Sequence, residues 1–512
     1  MSNNLSTNSR GRSGRHGEVR GANFNRRSSQ FEGRFGRMFR TLPPADFDED
    51  ILTDLATAMT ATPDEPPTPE TVADDEENSG IAAGYTYLGQ FVDHDLTFDP
   101  ASSLQRQNDP DALVDFRTPR FDLDNIYGRG PDDQPYLYRA DGLHMLLGRK
   151  LTGNDNDPAA RDVPRNQPEP NTTEDFRALI GDPRDDENVI VSQLQSAMLR
   201  FHNRMVDRLG SPTFEQTQRM VRWHYQWVLL NDFLPTIIGD ETLNKILPHR
   251  AKGTNPLVDP PKLEFYKPKV SAYIPIEFSA AAYRFGHSMV RPIYRMNAKM
   301  TNDTRIRIFS TTHESLLGFR AYPPDLGIDW SLFFSMGPAP PLGPLRVQPA
   351  YKIDTSLVNP LGTLPPAVAQ NPASLALRNL LRGWRMGLPS GQAVARFMGI
   401  EPVPAATLKV GKAIKSDIGT NKLLTDISPR FADNAPLWYY ILAEPAEHFV
   451  DDATPVRLGQ VGGRIVGEVF VGLMLADSHS YLHQNPLFKP FQDFMTNGEF
   501  KMADLLRQSM QA

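Results

Sequence analysis

The sequence predicts a mainly α-helical protein with long loops and little β-sheet. The clearest helical pattern is in residues 189–210, where apolar side chains recur every three or four positions and Gly210 closes the stretch. Alternating patterns typical of strands are few and short, the best being 306–309. Proline-rich stretches at 150–178 and 323–370, in a chain with 45 prolines, indicate long loops.

Further segments carry helical patterns of their own. Thr213 and Gln216 have the spacing of a capping box, which predicts that a helix begins there. Apolar periodicity predicts three more helices, at 278–290, 372–386 and 461–482. The fold class that follows is a single large helical domain rather than an alternating α/β protein.

The charge distribution and the start of the helical patterns divide the chain into an arm of residues 1–80 and a helical domain of residues 81–512. Residues 1–40 contain nine Arg and two Glu, whereas residues 41–80 contain twelve acidic residues and no Lys or Arg. The two halves of the arm could pair electrostatically, or both could be solvated and partly disordered.

Composition excludes several classes of protein. A formal net charge of −7 and a pI near 5.9 argue against nucleic acid as the main partner. The chain has no cysteine, so it contains neither disulfides nor thiolate metal sites. Neither a signal peptide nor a membrane span is predicted, so we expect a cytoplasmic protein or one exported by a signal-independent route. The oligomeric state is not predictable from these features.

Three motifs concentrate reactive side chains. In 89–98, GQFVDHDLTF, a helix would place Gln90 and His94 on one face, one turn apart, with Asp93 and Asp95 on different sides. Taken alone, this motif fits a hydrated surface cluster, a divalent-metal site or a catalytic site equally well.

The second and third motifs also have alternative structural explanations. GDPRDDEN, 181–188, carries Arg184 and Glu187, and its acidic residues would suit the start of the following helix. YRFGHSMV, 283–290, carries Arg284 and His287, and a lone histidine on an apolar helix is often a core residue. Gly286, however, would let a flat group approach the backbone.

In this order and spacing, the motifs resemble the animal-type haem peroxidases of the peroxidase–cyclooxygenase superfamily. The first motif resembles the family's distal helix, the second its catalytic-arginine segment and the third its proximal helix. The segment LRNLLRGWRMGLPS resembles the part that supplies the proximal asparagine. The resemblance runs from about residue 81 to residue 475 and implies a haem peroxidase-like helical domain.

The resemblance implies a catalytic role for three residues. His94 would be the distal acid and base that moves a proton between the two oxygens of hydrogen peroxide, with Gln90 as its neighbour. Arg184 would stabilise the charge that develops as the O–O bond breaks.

Five more residues would hold haem b. His287 would ligate the haem iron, with Asn379 accepting the second N–H of its ring and Arg284 near a propionate. Asp93 and Glu187 match carboxylates that form esters with the haem. Some family members carry a methionine that bonds to the haem where this chain has an asparagine after Glu187, so that bond is not expected here.

The resemblance also implies a calcium site. Asp95 and the loop TPRFDLDNIYG, 118–128, would supply the ligands, with Ca²⁺ bound by Thr118, the carbonyl of Arg120, Asp122 and Asp124. An aspartate-rich turn without an ion is the alternative explanation.

The expected function is haem-dependent reduction of hydrogen peroxide with oxidation of small organic donors, halides or thiocyanate. A fatty-acid dioxygenase of the same superfamily is one alternative, although Arg284 stands where those enzymes carry their radical-forming tyrosine. A haem-free adhesion module is the other alternative, with the arginine-rich arm as its contact surface.

Overall fold

A computed structural model describes residues 33–63, 70–97, 114–115, 117–167, 176–268, 271–310, 314–366, 368–369 and 371–512. The structure is mostly helical, with 41% helix and 8% strand, which confirms the predicted fold class. Its α-helices are α1 (Glu49–Met59), α2 (Gly84–Leu96), α3 (Asp124–Tyr127), α4 (Val189–Leu209), α5 (Phe214–Val228), α6 (Leu234–Ile246), α7 (Pro248–Lys252), α8 (Ile276–Ser279), α9 (Leu375–Arg385), α10 (Gly391–Phe397), α11 (Leu424–Ile427), α12 (Leu437–Ala443), α13 (Gln460–Ala476), α14 (Tyr481–Gln484) and α15 (Met502–Ser509).

The strands are short and join separate segments of the chain by a few backbone hydrogen bonds. They are β1 (Gly33–Gly36), β2 (Glu77–Ala82), β3 (Val114–Asp115), β4 (Ile274–Pro275), β5 (Ile293–Tyr294), β6 (Ile306–Arg307), β7 (Pro349–Tyr351), β8 (Lys409–Val410) and β9 (Lys422–Leu423). β1 pairs antiparallel with β3 and parallel with β4, while β2–β7, β5–β6 and β8–β9 form antiparallel pairs.

Helix α13 lies at the centre of the core. Its side chains from Val461 to Met474 are buried on every face, as expected of a helix with little polar surface. It packs mainly against α6, and glycines allow the close approach: a Cβ at Gly467 would come within 2.5 Å of the Ile246 side chain. The ring of Phe470 on α13 contacts the rings of Phe278 and Tyr283, so the core extends to the third motif.

Four of the five predicted helices are present, as α4, α5, α9 and, for most of 461–482, α13, and one is wrong. Helix α4 ends at Gly210, and Thr213 with Gln216 forms the expected capping box at the start of α5. Residues 278–290 do not form one helix. The short α8 ends at Ser279 and a 3₁₀ segment follows at Ala282–His287, because Ala281 leaves helical geometry at φ −136°.

The described part of the expected arm packs into the helical body. Helix α1 buries Leu52, Leu55 and Met59 and lies against α9. β1 inserts between β3 and β4, and the Glu277 carboxylate accepts hydrogen bonds from the backbone N–H groups of Met38 and Phe39. In this region the structure differs from the expectation of solvated arms. Residues 1–32 lie outside the described residues, and the boundary at residue 80 stays a prediction.

The acidic residues of this region find their partners in the helical body. Glu70 forms a buried ion pair with Arg295, at 2.7 Å, and Glu77 lies between Arg291 and Arg346. These carboxylates and guanidiniums are all buried, so removing one partner would leave an uncompensated charge in the interior.

Helix α2, which carries the first motif, lies between the elements that carry the other two motifs. It packs against α4, the 3₁₀ turn at Pro183–Asp186 and the 3₁₀ segment Ala282–His287. All three motifs therefore meet around one helix. Among the described helices, none has the length and apolar character that crossing a bilayer requires.

Replacing Leu55 with alanine should lower the free energy of unfolding by about 2–5 kcal/mol, because its side chain is fully buried between α1 and α9. The exposed Asp54→Ala variant on the same helix is the control and should change stability by less than about 0.5 kcal/mol. Urea unfolding followed by circular dichroism measures both. Equal stabilities for the two variants would show that α1 is not part of the core.

Candidate functional site

The motif GQFVDHDLTF forms the C-terminal half of α2. Phe91 and Val92 are fully buried and fix the helix in the core. His94 and Asp95 are also buried, whereas Gln90 and Asp93 are half-buried. The helix therefore presents its polar residues on two sides, as the spacing predicted.

Segment 182–188 docks against this half of α2. Asp182 caps the 3₁₀ turn by accepting from the Arg184 N–H, and Asn188 caps α4. Gly181 allows the close approach of the loop that precedes α4, because a Cβ there would lie 2.5 Å from the Asn125 carbonyl oxygen. The two caps therefore set the conformation of segment 182–188, and the absence of a side chain at Gly181 lets the segment pack close to the Asn125 backbone.

His94 is held by a residue that the sequence analysis missed. Its Nδ1 lies 2.7 Å from Asp185 Oδ1, and both side chains are buried. Burial and the charge of Arg184 act to lower the pKa of His94, but the hydrogen bond and charge of Asp185, together with Glu187, outweigh them and raise it. Only the three-dimensional docking identifies Asp185, since GDPRDDEN offers two adjacent aspartates with no local difference.

Gln90 joins the second motif to the first. Its amide nitrogen donates to the Glu187 carboxylate, and its amide oxygen accepts from Asn188 Nδ2 at 3.1 Å. Glu187 Oε1 lies 3.8 Å from His94 Nε2, and the Glu187 side chain is 37% exposed. Burial of its carboxyl group raises the pKa of Glu187. The polar side chains predicted for the distal side therefore do lie together.

Arg184 lies at the end of α2. Its guanidinium pairs with Asp182 at 2.7 Å and donates to the carbonyl oxygens of His94 and Thr97. Burial lowers the pKa of Arg184, but the charge of Asp182 outweighs this and raises it, so the group is permanently charged. The guanidinium contacts the backbone of His94, and its charge acts to lower the pKa of the His94 imidazole.

His287 ends the 3₁₀ segment and contacts the expected asparagine. Its Nδ1 lies 2.8 Å from Asn379 Nδ2, and burial followed by the charge of Arg284 lowers the pKa of His287 to about 3. The imidazole is therefore neutral, as a metal ligand must be. A Cβ at Gly286 would meet no atom within 4 Å, so there is open space beside this backbone.

The direction of the Asn379 contact is the reverse of the expectation. An amide nitrogen only donates, so His287 Nδ1 accepts here, whereas Asn379 was expected to accept from the ring. The Asn379 oxygen instead faces Arg284 Nη1 at 3.4 Å. Turning the amide over exchanges its two ends with little change of shape, which would restore the expected role.

Arg284 belongs to a half-buried cationic group. It donates from Nε to the Ser279 carbonyl, and burial with the nearby charge of Arg382 lowers the pKa of Arg284 to about 10. Arg378 adds to the same positive field. Such a cluster is favourable only next to negative charge, and a carboxylate such as a haem propionate fits it. Sequence analysis missed Arg382, although it follows Asn379 by three residues on α9.

Asp95, Asp122 and Asp124 form a carboxylate cluster in which Asp95 is buried and the other two are half-buried. Their oxygens lie within 4.8 Å of one another, and both oxygens of Asp95 lack a hydrogen-bond partner. Burial, followed by the charges of Asp122 and Asp124, raises the pKa of Asp95, and burial also raises that of Asp124 to about 7. Carboxylates this close together disfavour each other's charge, which either protons or a cation would relieve. Three of the expected metal ligands therefore lie together.

The remaining two predicted calcium ligands lie in the same loop. Thr118 Oγ1 donates to Asp122 Oδ2 at 2.7 Å. The Arg120 side chain points elsewhere, 3.8 Å from Asp477, and only its carbonyl was expected to bind. Arg117 Nη1 lies 3.3 Å from Asp124 Oδ1 and neutralises part of the cluster.

Comparison with known sequences shows the family. A family profile described as "Animal haem peroxidase" matches residues 103–509. Thyroid peroxidase from Rattus norvegicus is 25% identical over 406 residues, covering 75% of this chain, and eosinophil peroxidase from Mus musculus is 25% identical over 286 residues, covering 52% of it. The chain therefore belongs to the animal haem peroxidase family, which implies haem as cofactor.

These relatives are longer than this chain, which spans 40% of the rat protein and 35% of the mouse protein. The family match extends past residue 475, where the sequence resemblance was expected to weaken. It begins after α2, so Gln90, Asp93, His94 and Asp95 lie outside it.

Solved structures share the fold. Peroxidase A from Dictyostelium discoideum superposes with a TM-score of 0.60 at 16% identity, covering 91% of this chain and 93% of that one. A fatty acid alpha-dioxygenase from Arabidopsis thaliana superposes with a TM-score of 0.54 at 13% identity, covering 94% and 76%. Both peroxidases and dioxygenases are therefore built on this architecture.

The carboxylate cluster predicts a pH-dependent response to divalent cations. In cation-free protein, folded Asp124 titrates near pH 7 and unfolded Asp124 near its ordinary value of 3.8, so stability falls as the pH rises through this range. Added CaCl₂ should therefore raise the melting temperature more at pH 8 than at pH 5. At a hundred times the dissociation constant the stabilisation is about 2.7 kcal/mol.

Differential scanning calorimetry of the wild type and Asp124→Asn makes this measurement. The variant should lose most of the calcium response and part of the pH dependence, while the exposed Asp132→Asn should keep both. Equal calcium responses at the two pH values would contradict a buried carboxylate site.

Proposed function

We propose that this protein is a peroxidase that uses haem b to reduce hydrogen peroxide and oxidises small organic donors, halides or thiocyanate. The observation that carries the proposal is a pair of histidines, buried His94 and half-buried His287, whose Nδ1 atoms both contact a protein side chain. His94 Nε2 is therefore available for chemistry, and His287 Nε2 becomes available once the Asn379 amide is turned over. Haem bound between them would supply the two-electron reduction of the peroxide and the one-electron oxidation of donors.

On the α2 side, His94 is suited to move the proton. Hydrogen peroxide must lose a proton from one oxygen and gain one on the other as the O–O bond breaks, and a neutral imidazole can perform both transfers. Gln90, held by Glu187 and Asn188, can orient the peroxide by hydrogen bonding. Arg184 supplies fixed positive charge near the oxygen that leaves.

On the opposite side, His287 is suited to ligate the haem iron. Ligation through Nε2 requires the proton on Nδ1, so Asn379 would turn its oxygen towards the ring, as the family resemblance implies. Arg284 would face a haem propionate, which would offset the charge that it shares with Arg382.

Two carboxylates are candidates for ester links to the haem. Asp93 Oδ1 accepts from Thr97 Oγ1 at 3.2 Å, and Glu187 accepts from Gln90. Both carboxylates are incompletely buried, and they occupy the positions that the family resemblance assigns to ester-forming residues. Calcium is proposed as the ion of the carboxylate cluster, because its oxygen ligands and buried charge suit Ca²⁺.

A fatty-acid dioxygenase is the second candidate, supported by the shared fold of the Arabidopsis enzyme. Two observations disfavour it. The residue three before His287 is Arg284, which cannot form a radical like that of a phenol. The neighbouring Tyr283 stacks on Phe278 at 4.7 Å, which fixes its ring in the core.

His287→Ala should lose haem, seen as loss of the Soret band, and His94→Ala should keep haem but react with peroxide about 10²–10⁴-fold more slowly. Stopped-flow absorption at saturating haem measures both. His202→Ala is the matched control, since this buried histidine contacts Tyr127 and the Leu143 carbonyl rather than the site.

Two outcomes would contradict the proposed function. One is a wild-type peroxide rate in His94→Ala. The other is sustained O₂ consumption with linoleic acid, lost in Tyr283→Phe, which would favour the dioxygenase.

Covalent attachment gives a separate prediction. After treatment with peroxide, part of the haem should stay with the protein in acidified organic solvent, and the double variant Asp93→Val, Glu187→Val should release all of it. Complete extraction from the peroxide-treated wild type would mean that neither ester forms.

A further inference from the structure

We propose that Asp185 is a positioning residue that fixes the proton of His94 on Nδ1 and so keeps Nε2 available as the base. The inference rests on the proposed function, because it assigns the tautomer of the proposed distal histidine. An ionised carboxylate accepts and does not donate, so the 2.7 Å contact with ionised Asp185 would hold the hydrogen on His94 Nδ1.

Asp185 is itself fixed from its other side. Its Oδ2 accepts from Asn125 Nδ2 at 3.0 Å, and Asp185 and Asn125 are both fully buried. Asn125 follows Asp124 at the start of α3, so the carboxylate loop and α2 hold Asp185 between them. A carboxylate with one oxygen on each partner cannot rotate without breaking a buried hydrogen bond.

The proton would have another place to go without Asp185. Glu187 Oε1 lies 3.8 Å from His94 Nε2 and is an acceptor on the opposite side of the ring. If Nδ1 lost its acceptor, the tautomer with hydrogen on Nε2 would be favoured, and it would occupy the nitrogen that must take the proton of the peroxide. Asp185 thus decides between a buried carboxylate, its own, and the half-buried carboxylate of Glu187, which compete for the same imidazole.

The next residue is a matched control. Asp186 is as buried as Asp185 and carries the same group, but it pairs with Arg165 at 2.7 Å and accepts from Tyr322 at 3.0 Å. Neutralising Asp186 therefore changes buried charge in the same turn without touching His94. Asp185→Leu removes the acceptor with little change in side-chain volume, and Asp186→Asn controls for general disturbance.

The first test compares the full chain with its variants, and its deciding measurement is made on the wild type. In histidine-selective ¹⁵N spectra in alkaline buffer, the two nitrogens of a neutral imidazole differ widely in shift according to which carries hydrogen. The His94 resonances are identified by their absence in His94→Gln. We expect hydrogen on Nδ1 in the wild type and in Asp186→Asn, and on Nε2 in Asp185→Leu. Hydrogen on Nε2 in the wild type would overturn the inference, even if Asp185→Leu failed to fold.

The second test uses cyanide binding to the haem-loaded protein, because hydrogen cyanide must give up its proton as it binds ferric haem. Asp185→Leu should slow association by about 10–100-fold, the scale seen when the partner that orients a histidine is removed. Asp186→Asn should stay within about twofold of the wild type.

The controls separate the two proposals. If His94→Gln slows cyanide binding and Asp185→Leu does not, the positioning role is wrong. If His94→Gln itself has no effect, the distal role of His94 fails instead, while the spectra still decide the tautomer.

Discussion

The contact between segment 182–188 and the end of α2 is the interaction on which the rest of the site depends. It brings Asp185 to His94, Glu187 to Gln90 and the Arg184 guanidinium to the last carbonyl groups of the helix. Each partner is polar and largely removed from water, so an unmade bond would cost more than a made one contributes. Neither α2 nor segment 182–188 could hold these side chains alone, because the hydrogen-bond donors of each element have their acceptors on the other.

Electrostatics ties a cation site to this contact. Asp95 follows His94 in α2, and Asp124 precedes the Asn125 that holds Asp185. A cation among the carboxylates would therefore stabilise both elements that enclose the imidazole. Without a cation, burial and mutual repulsion raise the pKa values of Asp95 and Asp124. The fold therefore becomes less stable as the pH rises and these carboxyl groups lose their protons. The position of His94 and the state of the carboxylate cluster therefore depend on the same two elements, α2 and the loop before α3.

Sequence patterns predicted the parts of the fold that local interactions specify. Helix α4 and the capping box of α5 were predictable because their signals lie within a few residues. The helix at 278–290 was wrong because packing against α2, α12 and α13 replaces helical continuity with two short segments. The packing of residues 33–63 was not predictable from the charge pattern, which left a solvated arm as one of two alternatives, because the charges of this region find partners hundreds of residues away, such as Asp46 with Arg430.

The candidate site shows the same limit. His94, Gln90, Glu187 and the three aspartates stand in motifs, and the structure brings them together. Asp185 and Arg382 were invisible because nothing in their neighbours distinguishes them from Asp186 or Arg385, and only the direction of the side chain assigns a partner. The orientation of the Asn379 amide was equally beyond sequence, since it depends on whether His287 or Arg284 takes the oxygen.

The central claim is that one haem lies between α2 and the segment that ends at His287. A crystal structure of the full-length protein grown with haem tests it most directly. We expect His287 Nε2 on the iron, Asn379 oxygen on His287 Nδ1, and His94 and Gln90 on the opposite side of the ring, with Asp185 still on His94 Nδ1. Haem bound elsewhere, or iron ligated by a residue other than His287, would contradict the account.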